Sequence, residues 1–229
     1  MKTIPPPDLS AITIIIVNYK TYALTKACVA SVLQHYPEVP LILLDNGSAD
    51  ESTRYIVETA QAHPHVVAQL NAHNRYHGPA MDQGINLSKT PYAFTLDSDC
   101  EIMRTGLLEG LLAIFDDPQC YAAGELQYMD RFGYTLPVGM KYYTRYIHPY
   151  AMLLDRAKYL TLKPFVHHGS PCLHNMQAAQ RQGYHFYAFP VAEYVLHHTQ
   201  GTCSRYGYGL GITTSVQKVM SKCLRYMRR

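Results

Sequence analysis

Two aspartates, Asp97 and Asp99, follow an apolar run and are separated by a single serine. In an extended segment, side chains two residues apart point to the same face, so both carboxylates can aim at one point beyond the end of a strand. Such a pair is typical of sites for a hard divalent cation, Mn²⁺ or Mg²⁺, which keeps coordination positions open for phosphate oxygens. A D-x-D triplet alone is a weak signal. Its weight depends on the elements that would position it.

The first 97 residues alternate strand-like and helix-like segments. Apolar runs rich in β-branched or aliphatic residues predict strands, and segments with helical spacing lie between them. The predicted strands are 12–19, 40–45, 65–71 and 92–97, and the predicted helices are 21–37, 51–64 and 80–88. This order predicts an α/β fold with a doubly wound, mainly parallel sheet flanked by helices.

Polar clusters follow Val17, Leu44 and Leu96, at the ends of three of these predicted strands. Doubly wound sheets bind ligands beyond the carboxyl ends of their strands. We therefore expect the three clusters to converge on one crevice. Asp50, which precedes Glu51, is predicted to cap the second helix.

Composition predicts one compact domain over residues 1–229. Apolar residues make up 48% and charged residues 16%, which excludes disorder. No apolar run approaches the roughly 20 residues that span a bilayer, and the start lacks the apolar core of a signal peptide, so the expected location is the cytoplasm. The second half, from about residue 121, is rich in Tyr and His, and we expect it to pack on the same sheet.

Charge and cysteine content exclude other classes. A formal charge of +3 is too small to indicate nucleic-acid binding. The six cysteines lack C-x-x-C spacing, which indicates reduced thiols rather than disulfides or a zinc site. Residues 218–229 predict a short basic amphipathic helix, which could contact an anionic membrane or a polyanionic acceptor, or could be a solvated terminal helix.

Four motifs together resemble the family 2 glycosyltransferases of GT-A fold. They are IIIVNY, LLDNGSADES, the pattern N-x-x-x-G-x-A-x-x-Q-G-I from Asn74 to Ile85, and LDSDCE. Their order and spacing match over roughly the first 125 residues. The resemblance implies a nucleotide-sugar-binding half (1–125) and an acceptor-binding half (126–229). It also implies sugar transfer from a UDP-, dTDP- or GDP-linked donor to an acceptor hydroxyl, usually with inversion and with Mn²⁺ or Mg²⁺.

The same resemblance assigns the donor site. Asp45 and Asn46 match the position that reads the nucleobase, and Tyr19 is expected against the base or ribose, unless it is a core tyrosine. Asp82 stands where the family usually has an asparagine. The implied donor-binding residues are Val17, Asn18, Tyr19, Asp45, Asn46, Gly78, Asp82, Asp97 and Ser98, with Arg205 as a phosphate clamp.

Metal binding is likewise implied by the resemblance. Asp97 is expected to touch the ribose or the metal, and Asp99 to ligate the metal that bridges the two phosphates. The family often adds a histidine that precedes a glycine in a late loop. Here His197 and His198 precede Gly201, and we choose His198 as the third ligand, although either could be an ordinary surface residue.

The general base departs from the family pattern. The family commonly uses an aspartate in an acidic pair, which would fall at Pro171 and Cys172, where no carboxylate stands. An imidazole of neutral pKa can serve as a base instead. The alternatives in this sequence are His167, His168, His174, Asp155, Glu125 and the thiol of Cys172. The histidines could equally shape the acceptor pocket without acting as bases.

Acceptor recognition is expected in the second half. Aromatic faces stack on sugar rings, and hydroxyl and guanidinium groups supply hydrogen bonds. The candidates are Tyr128, Tyr134, Tyr142, Tyr143, Tyr146, Arg131 and Arg145, any of which could instead be a half-buried strand residue. The acceptor could be a glycan, a lipid-linked sugar, a small molecule or a peptide.

Two other functions compete with the transferase. A non-catalytic nucleotide-sugar-binding protein is supported by the missing acidic pair. A nucleotidyltransferase would need a Gly-rich basic phosphate loop near the N-terminus, which VNYKTYALTK lacks. A dehydrogenase is disfavoured because G-x-G-x-x-G does not follow the first strand.

Overall fold

The computed structural model describes residues 7–137, 143–166 and 170–198. Its strands are β1 (Ile12–Asn18), β2 (Leu41–Asp45), β3 (Val66–Leu70), β4 (Tyr92–Asp97), β5 (Cys100–Ile102), β6 (Cys120–Met129), β7 (Thr144–Asp155), β8 (His185–Ala188) and β9 (Val195–His197). Its α-helices are α1 (Tyr22–His35), α2 (Glu51–Ala62), α3 (His77–Leu87), α4 (Leu107–Ala113), α5 (Arg156–Leu160) and α6 (Leu173–Arg181).

The amino-terminal half follows the predicted alternation of strands and helices. Strands β1 to β4 are parallel and lie side by side in the order β3-β2-β1-β4. All seven residues of β1 are buried, as expected for a central strand covered by helices on both faces. Helix α3 begins at His77, three residues before the predicted start. Asp50 caps α2 as predicted, because its carboxylate accepts a hydrogen bond from the Ser52 amide.

The second half extends the same sheet, which becomes seven-stranded in the order β3-β2-β1-β4-β7-β6-β8. Strand β7 is antiparallel to both β4 and β6, whereas β8 is parallel to β6. A separate two-stranded ribbon pairs β5 with β9 and so brings residue 197 next to residue 100. This ribbon carries the late histidines back to the end of β4.

Strand β7 contains a large bulge where it passes the end of β4. Between the pairs Ile147–Leu126 and Met152–Gly124, β7 contributes residues 148–151, whereas β6 contributes only Glu125. The Thr95 hydroxyl on β4 donates a hydrogen bond of 2.7 Å to the carbonyl of Pro149 within the bulge. Bulges bend a strand and change the direction of its side chains, and they are frequent beside active sites.

The core consists of two apolar layers on the two faces of the sheet. One layer includes Cys28 and Cys100, and the other includes Cys172. These three thiols and that of Cys120 are free and buried, as predicted for reduced cysteines, and burial raises the pKa of each. No helix among the described residues is long and apolar enough to cross a membrane. Arg205 and the predicted basic helix 218–229 lie outside the described residues.

Candidate functional site

The carboxyl ends of β1, β2 and β4 lie next to one another, as the sequence predicts. Asn18 at the end of β1 pairs with Asp45 at the end of β2, and Val17 pairs with Asp97 at the end of β4. Side chains from three segments that are distant in sequence therefore meet at one edge of the sheet. The helices that follow these strands begin at the same edge.

A buried polar network centred on Asn18 joins these strand ends. The Asn18 side-chain amide donates to Asp45 Oδ1 and to Ser48 Oγ, each at 2.9 Å. Its carbonyl oxygen accepts from the hydroxyls of Thr21, at 3.0 Å, and Thr25, at 2.7 Å. Asn18 is 0% exposed, and its side chain makes its hydrogen bonds within the protein, which gives it a positioning role at the strand ends. Its place in the nucleoside pocket stays a prediction.

The network reaches the D-x-D segment and also fixes Asp45. The Thr21 hydroxyl lies 3.1 Å from Ser98 Oγ, between the two aspartates of that segment. Asp45 is 2% exposed, and its Oδ2 accepts from the Thr53 hydroxyl at 2.7 Å. Asp45 is thus an internal hydrogen-bond acceptor, and its contact with a nucleobase stays a prediction.

Asn46 holds the loop that leads into α3. Its Oδ1 accepts from the Arg75 amide at 3.0 Å, and its Nδ2 donates to Asn74 Oδ1 at 2.9 Å. The loop ends at Tyr76, a residue with φ of 68°, and α3 starts at His77. Asn46 therefore determines where the first residue of α3 lies.

His77 at the start of α3 faces the first aspartate of the D-x-D segment. Its Nε2 lies 3.3 Å from Asp97 Oδ1. Burial favours the neutral ring, but the carboxylates of Asp97 and Asp99 outweigh it and raise the pKa of His77. His77 was not among the predicted site residues, although the motif run from Asn74 to Ile85 contains it. The helix was predicted to begin only at residue 80, so no predicted helix start pointed to His77.

Asp99 is paired with His197, and not with the predicted His198. His197 Nε2 lies 3.4 Å from Asp99 Oδ1, whereas the His198 ring contacts Glu101. Neighbouring residues of an extended segment point to opposite faces, which separates the two histidines. The Asp99 carboxylate raises the pKa of His197, against the effect of burial. The geometry favours His197 as the late-loop partner of Asp99.

The donor atoms at this edge fit a hard divalent cation. Asp99, Cys100 and His197 place one potential ligand atom each within 4.8 Å of the others. Carboxylate oxygens and imidazole suit Mn²⁺ or Mg²⁺ better than a thiol does, and burial together with Asp97 raises the pKa of Cys100. Asp99 and His197, with Asp97 nearby, are therefore the residues that could hold such an ion.

A second group from β6 and β7 lies beside this pair. The Tyr150 ring stacks on the His197 ring with centroids 4.8 Å apart, and its hydroxyl donates to Glu125 Oε2 at 2.7 Å. Burial would raise the pKa of Glu125, but the hydrogen bonds from Tyr150 and Gln127 outweigh it and lower that pKa. Sequence reasoning included Glu125 among the base candidates but missed Tyr150.

His148, in the β7 bulge, belongs to the same group. Burial lowers the pKa of its ring, although Asp97 and Glu125 act in the opposite direction. Its ring centroid lies 5.2 Å from that of Tyr150. The sequence offered no signal for His148, because only the bulge brings it to this edge.

Gly78 and Asp82 on α3 contact residues that are not at the strand ends. A Cβ on Gly78 would lie 1.4 Å from the carbonyl oxygen of Val166, so the chain at Val166 packs directly on this glycine. Asp82 Oδ1 accepts from the Tyr159 hydroxyl at 2.6 Å. Their roles in binding ribose and diphosphate stay predictions.

Three of the base candidates have positions that argue against that role. Asp155 pairs with Tyr92 at the opposite end of β4 from Asp97, because β7 is antiparallel, and it caps α5. Cys172 is 0% exposed and burial raises the pKa of its thiol, so it provides no thiolate. His174 is exposed on the first turn of α6, with no contact to the strand ends among the described residues. His167 and His168 lie outside the described residues.

The predicted acceptor tyrosines separate into different environments. Tyr146 is 2% exposed and belongs to a core layer, so it cannot stack on a sugar, and that prediction is wrong. Tyr128 and Tyr143 contact each other edge to face with centroids 4.7 Å apart, and both are half-buried. Tyr143 and Arg145 line a surface groove. Tyr134 is half-buried and Arg131 exposed, whereas Tyr142 lies outside the described residues.

Comparisons with known proteins agree with this architecture. The model of the family described as Glycosyl transferase family 2 matches residues 13–176. A search of curated proteins found no match. Among solved structures, the chain is similar in fold to the mannosyltransferase PcManGT from Pyrobaculum calidifontis in complex with GDP-Man and Mn²⁺, with a TM-score of 0.63 and 14% identity. The match covers 80% of this chain and 56% of that chain. The predicted fold is confirmed.

Proposed function

The chain belongs to glycosyl transferase family 2, and from this premise we propose that it transfers a sugar from a nucleotide diphosphate donor to an acceptor hydroxyl. The convergence of Asp97, Asp99 and His197 at the carboxyl edge of the sheet is the observation that carries the proposal. It places paired carboxylates and an imidazole where α/β sheets bind their ligands.

In this proposal the donor lies across the ends of β1, β2 and β4. Tyr19, half-exposed beside the Asn18 network, offers its ring to the nucleoside, and Asp45 and Asn46 shape the pocket below it. The donor is a UDP-, dTDP- or GDP-sugar. The solved relative, described in complex with GDP-Man, supports including a guanosine donor among the three.

Asp99 and His197, with Asp97 beside them, would hold Mn²⁺ or Mg²⁺. When bound, a divalent ion supplies positive charge that stabilises the departing nucleoside diphosphate. Asp97 is oriented by His77, and Ser98 by Thr21, so the loop between the two aspartates is fixed from both sides. Such prior organisation of charged groups is a main source of rate acceleration in transfer reactions.

The proposed reaction is a single displacement with inversion. The acceptor oxygen attacks the anomeric carbon, the bond to the β-phosphate oxygen breaks, and the acceptor proton passes to a base. The acceptor is a glycan, a lipid-linked sugar, a small molecule or a peptide. The half-buried pair Tyr128 and Tyr143 supplies an aromatic surface that suits a sugar ring.

A second candidate function is nucleotide-sugar binding without transfer. It is favoured by one observation, the fully buried Cys172 at the position where the family's acidic pair would fall. Binding of a donor with no release of nucleoside diphosphate, in water or with any acceptor, would distinguish this function from catalysis.

Calorimetric titration of the wild type and Asp99→Asn with UDP, dTDP and GDP, with and without Mn²⁺, tests the proposal. The wild type is expected to bind one nucleotide in a metal-dependent way, and Asp99→Asn to lose that dependence. Glu58→Gln, which changes an exposed carboxylate on α2, is the matched control and should bind as the wild type does. Metal-independent binding of equal strength by all three proteins would contradict the proposal.

A further inference from the structure

The proposed transfer needs a group that accepts the acceptor's proton, and the family's usual carboxylate is absent. Pro171 and Cys172 occupy its position, and Cys172 is buried. Asp155 lies at the other end of the sheet, where it caps a helix. Neither position supplies the base, so we consider the other described residues at the carboxyl edge of the sheet.

His148 is brought to the site by the bulge of β7. The bulge stands opposite Glu125 and is fixed to β4 through the hydrogen bond from Thr95 to Pro149. The His148 ring lies next to the Tyr150 ring, which in turn stacks on His197. The titratable groups that act on His148 come from four elements, namely Asp97 on β4, Glu125 on β6, His197 on β9 and His77 on α3.

One nitrogen of the His148 ring is buried without a partner. Buried polar atoms almost always have a hydrogen-bond partner, so an exception needs an explanation. Among the described residues, the buried side-chain atoms without one are His65 Nε2 and His148 Nδ1. His65 precedes β3 at the amino edge of the sheet, where its carbonyl accepts from the Leu41 amide. His148 lies at the carboxyl edge, where the Asp97 carboxylate acts on its ring.

We propose that His148 is the general base of the transfer, with its half-buried imidazole ring accepting the proton of the acceptor hydroxyl. This inference rests on the proposed function. As the proton moves to the imidazole, the acceptor oxygen forms the new bond to the anomeric carbon. The bond from that carbon to the β-phosphate oxygen breaks, and its electron pair leaves with the nucleoside diphosphate. The imidazolium that forms returns its proton to water after the products leave.

Glu125 is a positioning residue in this assignment. Its carboxylate is held by the Tyr150 hydroxyl at 2.7 Å and by the Gln127 amide at 2.9 Å. A fixed, half-buried negative charge near His148 stabilises the imidazolium as it forms. The bulge therefore supplies the base from β7 and the facing strand β6 supplies the opposing charge.

A comparison of the reaction with water and the reaction with azide distinguishes a general base from a residue that only maintains the structure. Water must lose a proton when it attacks, whereas the azide anion carries none. We would measure nucleoside diphosphate release from UDP-, dTDP- and GDP-hexoses with Mn²⁺, in water and with added azide, and identify the glycosyl azide. Because a general base contributes about 10²- to 10⁴-fold, His148→Ala should lose hydrolysis by that factor and keep azide transfer within a few-fold of the wild type.

Two variants and a binding measurement complete the design. His148→Gln repeats the test with a side chain that fills more of the site, in case His148→Ala fails to fold. His65→Gln removes the other unpartnered ring nitrogen and should react as the wild type does in both assays. Calorimetry with the nucleoside diphosphate and Mn²⁺ should give the same affinity for His148→Gln and the wild type.

The remaining outcomes test two separate claims, namely the assignment of His148 as the base and the proposed function. If both His148 variants hydrolyse the donor at the wild-type rate, or lose the water and azide reactions equally, the assignment of His148 is overturned. Selective loss of hydrolysis in a His167→Gln/His168→Gln double variant, with His148→Gln unaffected, also overturns it and moves the base to that segment. No release from any donor by the wild type, or equal release by wild type and Asp99→Asn, overturns the proposed function itself.

Discussion

Replacement of Asn18 by alanine should destabilise the protein far more than its polar character suggests. Asp45 Oδ1 would lose a buried hydrogen bond of 2.9 Å, and bonds to charged groups contribute about 1.5–3 kcal/mol. The Thr25 hydroxyl would lose its 2.7 Å acceptor, which adds about 1 kcal/mol. The sum, about 2.5–4 kcal/mol, is a large part of the roughly 5–15 kcal/mol that stabilises a typical domain.

Urea unfolding followed by circular dichroism would measure this loss, since the chain contains no tryptophan. Thr53→Val is the matched control, because it removes a single 2.7 Å hydrogen bond to the other oxygen of Asp45 and should cost only the contribution of one bond to a charged group, about 1.5–3 kcal/mol. The slope of free energy against urea should be unchanged in both variants. If Asn18→Ala loses no more stability than Thr53→Val, the strand ends are not held together by this network and the reasoning is refuted.

Two further predictions concern a glycine and an exposed carboxylate. Gly78→Ala should lower the thermal midpoint severely, because its Cβ would lie 1.4 Å from Val166 O; Gly183→Ala, with φ of +81° but no atom within 4 Å, should lower it only modestly. Asp117 has a pKa lowered to about 2 by Tyr187, Gln119 and His185, so its stabilising contribution is complete above its ordinary pKa of 3.8. That contribution disappears as the pH falls towards 2, and thermal unfolding across this range should show no such loss in Asp117→Asn.

The amino-terminal half could be predicted because local signals and topology agree there. The first three apolar runs are each followed by a helix, and the parallel crossovers leave one arrangement in which Val17, Asp45 and Asp97 share an edge. Asp99 lies in a turn between β4 and β5, and not in the extended segment from which its direction was predicted. The buried role of Asn18 was not predicted, because a sequence pattern does not show whether a polar side chain faces solvent or a saturated internal network.

The second half could not be predicted to the same degree, because the directions of its strands are set by pairing with distant strands. Strand β7 runs antiparallel to β4, and this reversal places Asp155 at the wrong edge for catalysis. The bulge that carries His148 depends on a register shift against β6, which has no local signature in the sequence. The choice between His197 and His198 depends on the register in which β9 pairs with β5, because a shift by one residue exchanges the side chains on each face.

The buried thiols provide natural reporters of how the folded protein opens. A thiol-reactive reagent can modify Cys28, Cys100 or Cys172 only after the apolar layer around it has exposed the sulfur, so the modification rate measures the opening free energy of that layer. Cys28 and Cys100 monitor one face of the sheet, and Cys172 monitors the other. Equal rates would show that both faces open in one cooperative event. A faster rate at Cys172 would show that the face carrying α6 can loosen while the strands beneath it stay closed.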